Sequence, residues 1–414
     1  MNIAAAMPGA ALAPIDVSRA ELYEGEGWQE PFRQLRAQCP IQYVPDSAFG
    51  PYWSVTTHKP IVHIEALPRI FSSSWEHGGI ALPGSVGEPL ENELRTPMFI
   101  AMDPSQHTAQ RRTIAPSFGP SEVAAMKREV QQRTAEVLDS LPHGEAFNWT
   151  DRVSIELTTG MLAKLFDFPW EQRHKLTYWS DMGGNVELMK DPDGMARRNA
   201  ALFEMGAAFA ELWQHKAANP GKDLISVMLR SDAMSHMSQE EFIGNLILLI
   251  VGGNDTTRNS MSAFAWGLHQ FPQERAKLEA DPALIPNAVQ ELIRWQTPLA
   301  HMRRTVMEDT ELDGAQMKKG DKVALWYISA NRDETVFDRP DEVIIDRENA
   351  RRHLSFGYGI HRCVGARVAE LQLTTLLEEM AKRRLRANVV EEPERVATCF
   401  VHGYKRVMVE LSRY

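Results

Sequence analysis

The stretch Ser355-Phe356-Gly357-Tyr358-Gly359-Ile360-His361-Arg362-Cys363-Val364-Gly365 decides the reading of this chain, and a helical pattern follows it at once. Gly357 and Gly359 suggest a dinucleotide loop, but that fingerprint wants a third glycine three residues on, where Arg362 stands. A zinc site fails too, because Cys363 has no CxxC partner and the other cysteines, Cys39 and Cys399, are far away in sequence. What remains is a single thiol at the entrance to a helix, where unpaired backbone N–H groups and the positive helix end stabilise a negative sulfur. Such a thiolate suits ligation of one metal ion.

The rest of the chain is consistent with a globular protein around that loop. Its 414 residues are 43% apolar and 24% charged, which argues against a disordered, collagenous or coiled-coil chain. Forty-five Lys and Arg against 55 Asp and Glu give a net charge of −10, which favours solubility and offers no general affinity for nucleic acid or anionic membrane. Three cysteines, odd in number and widely spaced, do not make a disulfide framework and fit a reducing cytoplasm. The alanine-rich stretch Ile3 to Ile15 is broken by Pro8 and Pro14 and lacks the charges of a signal peptide. The most apolar run, Leu246 to Val251, is far shorter than the roughly 20 residues that span a bilayer, so it predicts a buried helix and no membrane insertion.

Periodicity predicts helices over Ser121 to Leu141, Ser238 to Gln270, Asn287 to Gln296 and Val368 to Arg384, the second opened by a Ser238/Glu241 capping box. Strand signals are short: Gln42 to Val44, Tyr52 to Thr56, Lys322 to Tyr327 and Arg406 to Leu411. The expected fold is therefore mainly α with small peripheral β-sheets. Residues 1–40 form an N-terminal arm and first helix, partly flexible, and residues 41–414 a single large domain. His77 to Arg95 and Ser180 to Gly194 read as mobile loops over a site.

Phe356, Gly357, Gly359, His361, Cys363 and Gly365 match the signature Phe-Gly-x-Gly-x-His-x-Cys-x-Gly at every required position. On these residues the chain resembles the cytochrome P450 family of haem-thiolate monooxygenases. The resemblance implies haem b held between the long central helix and the Cys-loop helix, with Cys363 as its axial thiolate and dioxygen as co-substrate. Two further motifs fall in family order. Glu291-Leu-Ile-Arg294 matches the family's Glu-x-x-Arg pair, a structural element whose third partner is Arg332 or Arg347. Gly252-Gly-Asn-Asp-Thr-Thr257 resembles the oxygen-activation motif, with Asp255 and Thr256 as the catalytic pair that relays protons. Two glycines inside a helix cost roughly 1 kcal/mol each relative to alanine, and space above iron is a reason for them.

Carried over by motif, His107, Arg111, Arg303 and His361 hold the haem propionates, with His301 a weaker helper and Arg112 and Arg304 as neighbours able to exchange roles. The same resemblance turns Met98, Leu248, Val251, Gly252, Leu299 and Met302 toward the substrate, a set of apolar or small residues suited to a hydrophobic small molecule. Pro97 to Pro104, Asn245 to Ser260 and Pro298 to Thr305 look most like the bacterial enzymes that hydroxylate the terminal carbon of medium-chain alkanes and fatty acids; terpenes or aromatics are the nearest alternative substrates. The chain has neither an iron–sulfur cysteine cluster nor a flavin fingerprint, so electrons arrive from NAD(P)H through a ferredoxin reductase and a ferredoxin. Arg347, Arg351, Arg352, Arg362 and Arg367 form a basic cluster to dock the ferredoxin. A peroxygenase or a haem sensor has no use for Asp255 and Thr256.

Overall fold

The Ser238 hydroxyl accepts a hydrogen bond from the Glu241 amide at 3.2 Å, and the helix it caps runs 32 residues, Gln239–Gln270, until Pro272 follows its end. The computed structural model describes residues 13–83, 94 and 96–414. In chain order the helices that frame the site are α1 (Gln29–Gln38), α2 (His58–Glu65), α3 (Gln106–Ile114), α4 (Pro120–Asp139), α5 (Glu156–Phe166), α6 (His174–Gly184), α7 (Pro192–Ala218), α8 (Gln239–Gln270), α9 (Ile285–Gln296) and α10 (Ala366–Arg383).

Two apolar cores grip α8 at its ends. Ile243, Leu246 and Ile250 pack with Phe166 of α5, Trp179 of α6 and Phe209 of α7. Met261, Phe264 and Leu268 pack with Val289 and Leu292 of α9 and Leu373 and Leu376 of α10. Each such side chain, fully buried, contributes roughly 1.5–3 kcal/mol, which fixes the helix at both ends and leaves its middle free to serve another purpose.

The strands of the two larger sheets are β1 (Ile41–Val44), β2 (Tyr52–Val55), β3 (Phe71–Ser72), β4 (Phe147–Asn148), β5 (Met302–Val306), β6 (Lys322–Leu325), β7 (Leu385–Val389) and β8 (Met408–Arg413). A five-stranded sheet has the order β1-β2-β6-β5-β3, and a smaller one the order β4-β8-β7. In the first, Arg303 pairs with Ala324 and Arg304 with Val323 across antiparallel β5 and β6. Successive side chains of a strand point to opposite faces, so Arg303 and Arg304 serve different surroundings. The mainly helical fold with small sheets agrees with the sequence reading.

One expectation is corrected. Ser180 to Gly194 is not an open loop: its first residues end α6, Val186–Lys190 make a 3-10 turn, and Pro192 opens α7. Polar side chains close the turns, since Asn185 Oδ1 accepts from the Glu187 amide at 3.1 Å and Asp191 Oδ1 from the Gly194 amide at 2.8 Å. Of the His77 to Arg95 stretch, residues 84–93 and 95 lie outside the described residues, as do residues 1–12 of the N-terminal arm. The helix α1 that follows is anchored: Phe32 and Leu35 sit in one core with Trp326 and Ile328, and Arg36 pairs with Glu334 at 2.7 Å.

Candidate active site

The cysteine loop turns on two glycines in the left-handed region, Gly357 at φ 67° and Gly359 at φ 65°. The Cys363 amide donates back to the Phe356 carbonyl at 2.7 Å, closing the loop just before α10 begins. The Cys363 side chain is accessible yet densely surrounded. Burial pushes its thiol up, opposed by the Gly365 amide, by Arg111 and Arg362, and by the Ala366 amide. The two amides are what the start of a helix supplies to a sulfur anion, and Arg111 and Arg362 add positive charge beside it. Gly365 has ordinary backbone angles, and a Cβ built on it meets nothing nearer than Phe118 at 4.0 Å.

In α8 the accessible residues between the two cores are Leu248, Val251, Gly252, Gly253 and Thr256, and all but Gly253 recur at helical spacing and form one stripe. A Cβ on Gly252 would enter open space, whereas one on Gly253 would stand 2.7 Å from Leu162 Cδ2 of α5. The adjacent glycines therefore answer different needs, room on one side of the helix and close packing on the other. The Thr256 hydroxyl lies on the open stripe and donates to the Gly252 carbonyl at 3.0 Å. Met98, Leu299 and Met302 are likewise partly accessible and pack against the apolar cores.

Asp255 lies beside Val251 but is buried under α6. It is 3% exposed, and its Oδ1 accepts from Ser180 Oγ of α6 at 2.7 Å, Arg258 Nη2 at 3.0 Å and Asn254 Nδ2 at 3.3 Å. A Cβ on Gly184 would stand 2.8 Å from Asp255 Oδ2, so α6 closes tightly on the carboxylate. Arg258 also reaches Asp181 at 2.7 Å, and that aspartate is 52% exposed. Burial pushes the Asp255 carboxyl above its ordinary range, Arg258 pulls it down, and Asp181 adds to the rise. Ser180, Asp181 and Arg258 did not stand out in the sequence; only Arg258, one turn after Asp255, carried a local signal.

Around the cysteine loop lies a cationic and imidazole set. The rings of His107 of α3 and His361 lie with centroids 4.2 Å apart and planes tilted by 52°, and all four of their ring nitrogens are buried without a hydrogen-bond partner among the described residues. Burial pushes His107 down to about 4. Arg111 donates to the Arg362 carbonyl at 2.5 Å. Arg303 is fully buried, donates to the His77 carbonyl at 3.0 Å, and lies where a Cβ on Gly78 would stand. Its neighbour Arg304 pairs instead with Glu65 at 3.0 Å, so the two arginines are not interchangeable. His301 is buried against Trp326 and bonds the Cys399 carbonyl at 2.7 Å. Buried imidazole nitrogens without partners fit a group carrying acceptor oxygens, such as the two propionates of haem.

Glu291 and Arg294 are fully buried and joined by two parallel bonds of 2.8 Å. The third partner is Arg347, whose Nε lies 3.0 Å from both Glu291 oxygens. Arg332 donates instead to the Trp295 carbonyl at 2.7 Å. Arg347 therefore leaves the basic docking cluster, and Arg351, Arg352, Arg362 and Arg367 remain exposed.

A lone accessible thiol beneath helix-start amides, beside unpartnered imidazoles, is the arrangement of a haem-thiolate protein. A family model described as Cytochrome P450 matches residues 207–384. Linalool 8-monooxygenase of Pseudomonas putida is 34% identical over 96% of this chain and 98% of its own length. Methyl-branched lipid omega-hydroxylase of Mycobacterium tuberculosis (strain ATCC 25618 / H37Rv) is 30% identical over 92% and 90%. Among solved structures, CYP153D17 from Sphingomonas sp. PAMC 26605 is 61% identical with a TM-score of 0.91, over 96% of this chain and 99% of that one. Cytochrome P450-153 from Novosphingobium aromaticivorans is 56% identical with a TM-score of 0.92 and the same coverage. The chain belongs to the cytochrome P450 family. It is a monooxygenase of that family, whose cofactor is haem iron with a thiolate ligand and whose co-substrate is dioxygen. No described helix is long and apolar enough to cross a membrane.

Proposed function

We propose that this monooxygenase hydroxylates the terminal (omega) carbon of medium-chain alkanes or fatty acids, with electrons from NAD(P)H through a ferredoxin reductase and a ferredoxin, in the cytoplasm. The observation that supports the reading is that Met98, Leu248, Val251, Gly252, Leu299 and Met302 are each partly or wholly accessible and none bears a side-chain hydrogen-bonding N–H or O–H. An alkyl chain offers no polar handle, so a lining of such residues selects by shape, and a narrow end admits a methyl terminus ahead of a chain middle. Two relatives named for omega-hydroxylation and for C26 oxidation of steroids support end-of-chain chemistry.

In this reading the Cys363 sulfur would hold haem iron, with Phe356, Gly357 and the amides of Gly365 and Ala366 shaping its loop. Haem held there supplies the activation of dioxygen that no side chain performs. His107, Arg111, Arg303 and His361 hold the propionates. Thr256 presents its hydroxyl on the open stripe of α8, and Asp255, one residue earlier, is a buried carboxylate oriented by Ser180 and Arg258. Arg258 links it to the half-exposed Asp181, and the two carboxylates, not the permanently charged guanidinium, would pass protons inward. Arg351, Arg352, Arg362 and Arg367 receive the ferredoxin.

The relative named linalool 8-monooxygenase favours a second reading, a terpene alcohol as substrate. Turnover of octane, dodecane, dodecanoic acid and linalool, scored by product position, separates the two. Terminal alcohols from the straight chains support the first reading; in-chain products, or turnover of linalool alone, overturn it.

A further inference from the structure

Glu65, the last residue of α2, is 5% exposed although it carries a carboxylate. Its Oε1 accepts from the Tyr327 hydroxyl at 2.6 Å and from Arg304 Nη2 at 3.0 Å, both partners themselves buried. Burial pushes the carboxyl up, and Arg304, Tyr327 and the Tyr358 amide, in that order, draw it back toward the ionised form. Tyr358 belongs to the cysteine loop. A Cβ on Gly359 would stand 2.3 Å from the Glu65 carbonyl oxygen, and one on Gly357 3.7 Å from both Glu65 Oε1 and the Tyr327 hydroxyl. Both left-handed turns of the loop thus rest on Glu65, one on its backbone and one on its side chain.

A buried ion pair is a poor way to stabilise a fold, because an apolar contact of equal volume is often as good. What it supplies is a single geometry for everything bonded to it. We infer that Glu65, held by Arg304 and Tyr327, is a positioning residue that fixes the Gly357–Gly359 turn and through it the orientation of the Cys363 sulfur. The inference rests on the reading of Cys363 as the haem ligand. Outer partners of a metal ligand typically matter by about 10- to 100-fold in affinity or activity, and this cluster stands in that relation to the thiolate.

The test uses the full-length holoenzyme and the carbon-monoxide difference spectrum of its reduced form, in which thiolate ligation shifts the main haem band to the red. Glu65→Gln removes the charge at equal size, Tyr327→Phe removes one hydrogen bond, and Leu278→Ala weakens a different core as a control. The expected result is that the shifted band is lost about tenfold faster in Glu65→Gln and Tyr327→Phe than in the wild type, with Leu278→Ala at the wild-type rate. Wild-type rates in both variants, or equal acceleration in Leu278→Ala, would overturn the inference. If Glu65→Gln does not fold, Tyr327→Phe decides. A wild type without the shifted band would instead refute the reading of Cys363, so the two failures are distinct.

Discussion

Arg258 reaches Asp255 at 3.0 Å and holds that buried carboxylate one helical turn away on α8, while the same guanidinium nitrogen reaches the half-exposed Asp181 at 2.7 Å. The pair joins the interior of the long helix to the surface of α6. Asp255 shares a face of α8 with Val251, four residues earlier, and both pack against Gly184 of α6, so the carboxylate lies buried beside the open stripe under that helix.

Asp255→Asn removes the ionisable group while keeping the size and the Ser180 contact. Product formation is expected to fall by about a hundredfold, the lower end for a positioned general acid. Haem content should be unchanged. Steady-state turnover beside the haem absorbance checks this, and wild-type turnover would remove Asp255 from the mechanism.

Glu291 neutralises two buried arginines, so Glu291→Ala leaves Arg294 and Arg347 without a carboxylate and should cost about 3–5 kcal/mol in unfolding experiments. Arg347→Ala should show strong coupling to it in a double-mutant cycle. Arg332→Ala should show little, because Arg332 bonds a carbonyl of Trp295 and not Glu291.

The glycines of α8 should separate. Gly252→Ala gains up to about 1 kcal/mol of helix propensity and meets no atom of the described residues within 4 Å, so the protein is expected to be no less stable while the product position shifts. Gly253→Ala drives a methyl against Leu162 and should lose about 1–3 kcal/mol. Thermal unfolding and product analysis of the two variants provide the check.

Acid should destabilise the fold through histidines held neutral by burial. His353 and His402 are each pushed down to about 3 from an ordinary 6.5. Between those values the unfolded chain binds protons that the folded chain does not, so stability is complete above about pH 6.5 and falls as pH drops, by up to about 1.4 kcal/mol per pH unit for each ring. His402→Gln should reduce the loss between pH 7 and pH 5 by about 2 kcal/mol, measured by urea unfolding at the two pH values.

Charge reversal of Arg362 and Arg367 to Glu should weaken electron transfer from ferredoxin, most at low salt, since exposed charges are screened over about 8 Å at physiological ionic strength. Arg351 and Arg352 should behave alike. Unchanged, salt-insensitive transfer would place the ferredoxin elsewhere.

Much of this was legible in the sequence where the signal was local. The Ser238 cap, the apolar run after it and Pro272 beyond it mark α8, and six residues in register mark the cysteine loop. The misread stretch, Ser180 to Gly194, has a glycine pair and a proline that ordinarily signal a loop. Here Gly184 lets α6 close on Asp255, and Pro192 occupies the first turn of α7, where its missing N–H costs nothing. Contacts made across the fold left no such trace. Arg347 lies 56 residues from Glu291 and Arg332 competes with it by type alone. Glu65 meets Arg304 across 239 residues, a juxtaposition that only the packing of α2 against β5 and the cysteine loop reveals.

The central claim is that Cys363 supplies the thiolate that holds haem iron, and its most direct test is the carbon-monoxide difference spectrum of the reduced protein beside that of Cys363→Ala. A strongly red-shifted haem band in the wild type that is abolished in Cys363→Ala is the predicted result. The same band in both proteins, or a wild type purified without haem, would contradict it.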